Sequence, residues 1–332
     1  MKISYITNVG NLTLSNGFGR AGYQIVDSLK KLGHEVPYAS ADASVEIAFC
    51  QPDNSDWSNP DAYHIQYTPW ESTELKPGWV ECFNDDSIDE VWATSPWVAE
   101  VYRNAGVTKP IFVYEHGVNV DIKPTRRRQS SKLKFLHVGE PAPRKGGQLT
   151  VETFREVFGD RTDVSLTVKA FRRSSIRVFD EEGSILGLPQ DLYRNVKTVY
   201  NELDSSEMDR LYRQHDVLIY PSYGEGFGLI PIEAAVTGMP VICTDTWPPY
   251  EKLLPERLLV KTSLVDSPWE KTHPGQMLEP DRNSLKAALT YADENFEKLA
   301  GEAFKNAFLI KKEFDWIVQT ERAFAHIVKK FS

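Results

Sequence analysis

Cysteine is scarce in this 332-residue chain: Cys50, Cys82 and Cys243 are the three it has. They lie far apart and form no C-x-x-C pair, which argues against a disulfide scaffold or a thiolate metal site. They read as reduced thiols of a cytoplasmic protein. Long apolar runs are also missing; none approaches the roughly 20 residues that cross a bilayer as a helix. The opening Met-Lys-Ile-Ser-Tyr-Ile-Thr-Asn-Val is too short and too polar to read as a signal peptide. Positive charge is in deficit, with 38 Lys and Arg against 47 Asp and Glu and a formal net charge of −9. That balance excludes a generally basic nucleic-acid surface. There is no short-period repeat and no low-complexity segment.

What is present suits a packed protein. The chain is 41% hydrophobic and 11% aromatic, unlike a disordered one, and it is long enough for two domains. Residues 2–9 read as a first strand, followed by a polar loop at 10–16. Then comes Gly17-Phe-Gly19-Arg20-Ala-Gly22. Ile25, Val26, Leu29 and Leu32 share one face of the helix it opens, Gly33 stops that helix, and residues 34–38 read as a second strand. Further strands are expected at 45–50, 63–67, 88–94 and 111–114. Ser95 is a plausible N-cap for a helix over 96–105. This alternation implies a doubly wound parallel sheet.

Residues 121–134 turn polar, basic and proline-bearing, and read as an interdomain linker. In this reading Arg126-Arg-Arg128 is a solvated charge run. The pattern then restarts, with strands at 133–138, 164–169, 196–200, 216–220 and 240–244. A helix over 205–215 is capped by Ser205 or Ser206. Residues 171–195 look irregular with a basic start, and the chain beyond 281 is mostly helical. The expected domains are 1–125 and 132–314, followed by a C-terminal helical segment, 315–332. Two Rossmann-like halves place a cleft between the carboxyl ends of two sheets.

The most informative stretch is Tyr220-Pro-Ser-Tyr-Gly-Glu225-Gly226-Phe227-Gly228-Leu229-Ile-Pro-Ile-Glu233-Ala-Ala-Val-Thr-Gly-Met-Pro240. A buried strand leads into it, glycines turn the chain, and a helix follows, with a carboxylate at each end, Glu225 and Glu233. A helix start presents free N–H groups and a positive dipole end, which suits phosphate. Eight residues along a helix is about 12 Å, beyond the usual carboxyl separation in glycosidases, so a hydrolase pair is disfavoured.

This segment resembles the signature of the retaining, GT-B fold glycosyltransferases of family 4: a glutamate, a G-F-G-L turn and a second glutamate eight positions on. The resemblance extends to Gly17-Phe-Gly19-Arg20, to the turn 139–146 ending in Lys145-Gly, and to 115–119 and 205–216. It implies sugar transfer from a nucleoside-diphosphate donor of UDP or GDP type with retention, needing no metal and no other cofactor. By that resemblance Lys145 pairs with the donor diphosphate, Glu233 holds the ribose hydroxyls and Glu225 contacts the transferred sugar. Gly226, Phe227, Gly228 and Leu229 offer backbone amides to sugar and phosphates, and Gly17 and Gly19 close on the phosphate. The C-terminal helix is implied to cross back onto the first domain.

The chain also departs from the family. Gly139-Glu140 stands where Gly-Arg is common, so Arg144 is the candidate second cation, making the catalytic set Glu225, Lys145 and Arg144. His116-Gly-Val118 replaces Asn-Gly-Val, and Tyr67-Thr-Pro-Trp70-Glu71 replaces the segment with the family histidine. Trp70, Glu71 and His116 are the acceptor-side candidates. The acceptor is a glycan, a small molecule or modified DNA. For DNA, a phage-type base-sugar transferase would use the basic stretches 126–134 and 172–177. Two further readings stand beside these. One is a non-catalytic nucleotide-sugar-binding protein. The other is a nicotinamide enzyme, suggested by Gly17-x-Gly19-x-x-Gly22 with Asp42 as ribose acid, although the glycines follow the strand too late for that fingerprint. His64 reads as structural and His273 carries no signal.

Overall fold

The computed structural model describes residues 1–7, 17–128, 130–139, 143–170, 178–179, 185–187, 189–201 and 203–331. The expected loop at 10–16, Glu140 and the basic stretch 172–177 lie outside these.

The first half is a five-stranded parallel sheet in the order β1-β2-β3-β4-β5. Its elements are β1 Ile3–Ile6, α1 Gly17–Lys31, β2 Val45–Phe49, β3 Tyr63–Thr68, α2 Trp79–Phe83, β4 Glu90–Ala93, α3 Pro96–Ala105 and β5 Ile111–Val113. The expected second strand at 34–38 forms only two bridges to the outer edge of β1, Lys2 to Glu35 and Tyr5 to Tyr38. Pro37 has no N–H to donate to a ladder and Ala39 takes a positive φ of 46°, so pairing stops there. Ser95 does cap α3, accepting the Val98 N–H at 3.3 Å. Aromatic and branched side chains fill both faces, with Phe49, Tyr67 and Trp92 on one and Trp79, Phe83 and Tyr102 on the other.

The second half is a six-stranded parallel sheet ordered β10-β7-β6-β11-β12-β13. In chain order it comprises β6 Leu133–Val138, α4 Gly147–Phe158, β7 Val164–Lys169, a short hairpin of β8 Val178–Phe179 and β9 Ile185–Gly187, α5 Pro189–Leu192, β10 Val196–Val199, α6 Ser205–Arg213, β11 Val217–Tyr220, α7 Leu229–Val236, β12 Val241–Thr244 and β13 Leu259–Val260. The cap of α6 is Asp204 rather than a serine. Its carboxylate accepts from Ser206 and Glu207, and Glu207 reaches back to close a capping box. An antiparallel hairpin that the sequence did not suggest, β14 Thr262–Asp266 with β15 Gln276–Pro280, precedes α8 Arg282–Glu294, α9 Phe296–Glu313 and α10 Trp316–Phe331.

The strand order places the switch point of this sheet between β6 and β11, which pair directly. Chains leaving their carboxyl ends diverge there and open a crevice. His137 on β6, buried and with Nδ1 2.9 Å from the Ile219 carbonyl oxygen on β11, ties the two strands. Burial holds this imidazole at a pKa of about 4, so it stays neutral.

Two crossings join the halves. The Val118 N–H donates to the Phe314 carbonyl at 2.7 Å. Beyond it α10 lies on the first half, where Trp316, Phe324 and Ile327 enter the core of β1–β5 and α1. Tyr114 and Thr320 hydroxyls meet at 2.6 Å beneath it.

The segment 121–134 is not the freely solvated linker expected. Arg127 is buried, and its guanidinium donates to the carbonyls of His215 and Tyr212 at 2.8 Å and of Thr237 at 3.1 Å. One side chain therefore closes the carboxyl ends of α6 and α7, where unpaired carbonyls and the helix dipoles favour a cation. Burial lowers its pKa to about 10, still charged at neutral pH. Replacing Arg127 with Met leaves these carbonyls unpaired and should destabilise the protein by roughly 2–4 kcal/mol. Urea unfolding should show a lower midpoint with an unchanged slope; no shift in midpoint would show that the cap is dispensable.

Candidate active site

The site forms where three turns meet: one after β6, one after β11 and the start of α1. After β11 the chain must pass close to the first half. A Cβ on Gly224 would lie 2.1 Å from the Glu71 carbonyl oxygen, so only glycine fits. Gly226 follows, and its carbonyl accepts from the Thr94 hydroxyl at 2.8 Å across the cleft. Gly228 then caps α7 in the left-handed region, with φ of 85°. The Tyr250 hydroxyl donates to its carbonyl. Phe227 is buried against Tyr250, Phe314 and the ring of His116, and Leu229 packs against the cores of both halves. This turn is thus rigidly seated, with the amino end of α7 at its close.

Glu225 sits at the centre, 7% exposed. Lys145, from the turn after β6, donates to both its oxygens at 2.6 and 2.8 Å. The hydroxyls of Ser222 and Tyr220 donate to Oε1 at 2.7 and 3.0 Å. Burial alone would push this carboxyl up, but Lys145 and Arg144 outweigh it and hold it below the usual carboxylate range. Burial and the neighbouring Arg144 pull the Lys145 ammonium below its ordinary value, and Glu225 opposes them. The two form a charged, desolvated pair.

Arg144 braces this pair from the side. It donates to the Gly224 carbonyl at 2.7 Å and to Glu71 Oε1 at 2.8 Å, and lies 3.4 Å from Glu225 Oε1. Glu71 also has His273 Nε2 3.5 Å from its second oxygen. Burial raises the Glu71 carboxyl, but Arg144 and then His273 overcome this and depress its pKa to about 2. The β14–β15 hairpin is what carries His273 here. Its Gln276 exchanges bonds with Thr73 at 2.8 and 3.0 Å, fixing the hairpin to the first half.

Glu233 lies one turn into α7. Arg20, from the start of α1 in the first half, forms an ion pair with its Oε1, and the Tyr212 hydroxyl donates to Oε2 at 3.1 Å. Gly17 and Gly19 open the same helix, with Gly17 exposed and Gly19 buried.

The structure therefore gathers Glu225, Lys145, Arg144, Glu71 and the 226–229 turn into one network and sets Glu233 beside Gly17–Arg20. It places the other acceptor-side candidates differently. The Trp70 ring is buried on Trp79, stacks on His273, and its indole N–H is used by the Glu74 carbonyl at 2.9 Å. His116 is boxed by Phe49, Tyr67, Phe227 and Trp316, with neither ring nitrogen hydrogen-bonded. Burial lowers its pKa to about 3 and keeps it neutral. His64 is structural, with its ring nitrogens 2.7 and 2.8 Å from the Ser87 and Asn59 carbonyl oxygens. Sequence reasoning missed Ser222, Tyr212, Arg20 and His273 as partners. Ser222 lies within the central stretch and Arg20 within the glycine turn, so both were in view. His273 sits on a loop without pattern and could not have been found. Among the described residues no cluster of three or more His, Cys, Asp or Glu could hold a metal, and no helix is long and apolar enough to cross a membrane.

Known proteins share this architecture. A family model described as "Family 4 Glycosyltransferase in conflict systems" matches residues 91–258. The chain is 22% identical over 343 residues to putative glycosyltransferase 45 of Sulfolobus islandicus filamentous virus, covering 96% of this chain and 91% of that protein. It is 30% identical over 185 residues to D-inositol 3-phosphate glycosyltransferase of an Arthrobacter species, covering 54% of this chain but 38% of that enzyme. Two solved structures share the fold across nearly the whole chain. Sucrose-phosphate synthase of Thermosynechococcus elongatus superimposes with a TM-score of 0.68 at 14% identity, covering 100% of this chain and 99% of that one. A glycosyltransferase of Rickettsia africae gives 0.69 at 15% identity, covering 99% and 97%.

The Glu71 ion pairs imply a specific acid response. A carboxyl depressed from 4.5 to about 2 contributes stability that is present above the unfolded value and lost as pH falls through the folded one. The Tm difference between wild type and Glu71→Gln should be largest above about pH 5 and shrink steadily below it. A difference constant from pH 7 to pH 3 would contradict the ion-pair account.

Proposed function

The chain belongs to the family 4 glycosyltransferases of conflict systems, with the two-sheet GT-B fold, and from this we propose that it moves a hexosyl or pentosyl group from a UDP- or GDP-type sugar donor to a hydroxyl acceptor with retention of anomeric configuration. The observation that carries this reading is the buried contact of Lys145 with Glu225 at the mouth of a glycine turn that opens α7. A diphosphate entering there takes Lys145 from Glu225. The freed carboxylate, oriented by Ser222 and Tyr220, then accepts hydrogen bonds from hydroxyls of the transferred sugar. Glu233 takes the ribose diol.

Bond cleavage sends the electron pair of the anomeric C–O bond to the leaving diphosphate. Lys145, with Arg144 behind it, and the amides opening α7 stabilise the charge that develops. These contacts strengthen as the bond breaks, so they lower the barrier rather than only binding donor. The acceptor oxygen attacks from the face the diphosphate leaves, and its proton passes to the leaving phosphate oxygen. In this scheme the cations and amides supply the charge stabilisation for which other transferases use a metal, so transfer proceeds without one.

For the acceptor, the candidate wall is the network in which Glu71 of the first half meets Arg144 and His273 of the second. A glycan or small polyol fits this wall better than duplex DNA, because Arg127 of the basic stretch is spent on helix ends. Product anomeric configuration, read by proton NMR after turnover with an active donor, tests the retaining assignment; an inverted product would overturn it. Glu233→Ala should weaken nucleoside-diphosphate binding by roughly 1.5–3 kcal/mol, whereas Glu225→Gln should reduce turnover far more than binding. Calorimetric affinities that are equal for wild type and Glu233→Ala would refute the ribose role.

A further inference from the structure

Arg20 carries an inference beyond the reading above, on which it rests. If Glu233 holds the donor ribose, side chains of the protein compete for that place: Arg20 is ion-paired to the same carboxylate, and Tyr212 donates to its second oxygen. Arg20 belongs to the other half of the molecule, on the first turn of α1. Its side chain is 22% exposed, and burial lowers its pKa from the ordinary value. A donor ribose and the guanidinium cannot both occupy Glu233, so donor binding must release a largely desolvated cation inside the cleft.

The amino end of α7 is a nearby destination for that cation. Glu233 lies four residues, about 6 Å, along α7 from Leu229, so the guanidinium already hangs within one helical turn of the amino end where the diphosphate is placed. A rotation of the long arginine stem spans that distance without moving the backbone. A planar fork of donors is well matched to two phosphate oxygens. Arg144, by contrast, holds the Gly224 carbonyl and Glu71, so it serves the diphosphate as a brace for Lys145. We propose that Arg20 is an exchanging donor residue: it pairs with Glu233, yields it to the ribose, and pairs with the diphosphate as its second cation. Nucleoside alone would then displace Arg20 without reward, while nucleoside diphosphate would displace it and rehouse it. The first half would thereby close only on a donor that carries phosphates.

The test is a crossed affinity. Uridine, guanosine and adenosine, and UDP, GDP and ADP, are titrated by calorimetry into wild type, Arg20→Gln and Arg20→Met, each variant first checked for cooperative thermal unfolding. For the base the protein accepts, losing Arg20 should tighten nucleoside about threefold or more and weaken the diphosphate about fivefold or more. Tighter binding of both would show that Arg20 only competes for Glu233, and would overturn its role as second cation. Weaker binding of both, or no change in either, would overturn the exchange itself. Glu233→Ala separates this from the underlying reading: nucleoside affinity indifferent to Glu233, with and without Arg20, would mean that the ribose assignment had failed.

Discussion

A desolvated ion pair, Lys145 on Glu225, is the constraint around which the rest of the site is arranged. Taking both charges from water is costly unless each gains further partners. Glu225 therefore has Ser222 and Tyr220 as well, and the like charge of Arg144 beside Lys145 is itself held by Glu71 and the Gly224 carbonyl. Burial raises the Tyr220 hydroxyl far above its ordinary range, so it remains a donor to the carboxylate. The backbone has to let these groups converge, which is why the chain at Gly224 passes too close to Glu71 for any side chain. The same packing that makes the network rigid leaves it poised. In the proposed reading a diphosphate would supply the negative charge that Lys145 draws here from a side chain, so exchanging one partner for the other would not leave the lysine unpaired.

The two halves meet through polar and aromatic contacts concentrated at this site. Thr94 on Gly226, Arg20 on Glu233, Arg144 on Glu71 and the hairpin bonds of Thr73 and Gln276 all cross the cleft. The covalent crossings at 118 and 314–316 lie behind it, with α10 fixed in the first core by Trp316 and Phe324. Contacts in front and a hinge behind are the arrangement expected of a cleft that opens and closes. Several of the front contacts involve the groups that the proposed reading gives to the donor, so in that reading ligand and closure compete for one set of side chains. His116, neutral and unbonded between Phe227 and Trp316, sits where the hinge and the donor turn touch.

Much of this was legible in the sequence. The glycines and glutamates of 224–233 imposed a strand, turn and helix because few other arrangements accommodate three closely spaced glycines after an apolar run. Repeated strand–helix alternation gave the two parallel sheets, and Ser95 announced α3 by ordinary capping chemistry. What escaped was tertiary. Residues 34–38 look like a strand by composition, but Pro37 and the edge position reduce them to two bridges. Arg127 looked solvated within a basic run, yet two helix ends hundreds of atoms away in the chain converge on it. Asp204 was legible but passed over for its serine neighbours: Asp204-Ser-Ser-Glu207 carries the capping-box spacing that α6 uses. His273 gave no warning at all, since nothing local marks the tip of a hairpin that another half of the molecule receives.

The central claim is that Lys145 and Glu225 act as one unit on a nucleoside-diphosphate sugar. The most direct measurement is release of nucleoside diphosphate from a panel of UDP- and GDP-sugars, followed in wild type, Lys145→Met, Glu225→Gln and the double variant. The account predicts release by wild type from at least one donor, and a loss in either single variant about as large as in the double, as for groups that function together. Losses that simply add would contradict the unit. Full release by Lys145→Met would contradict the site.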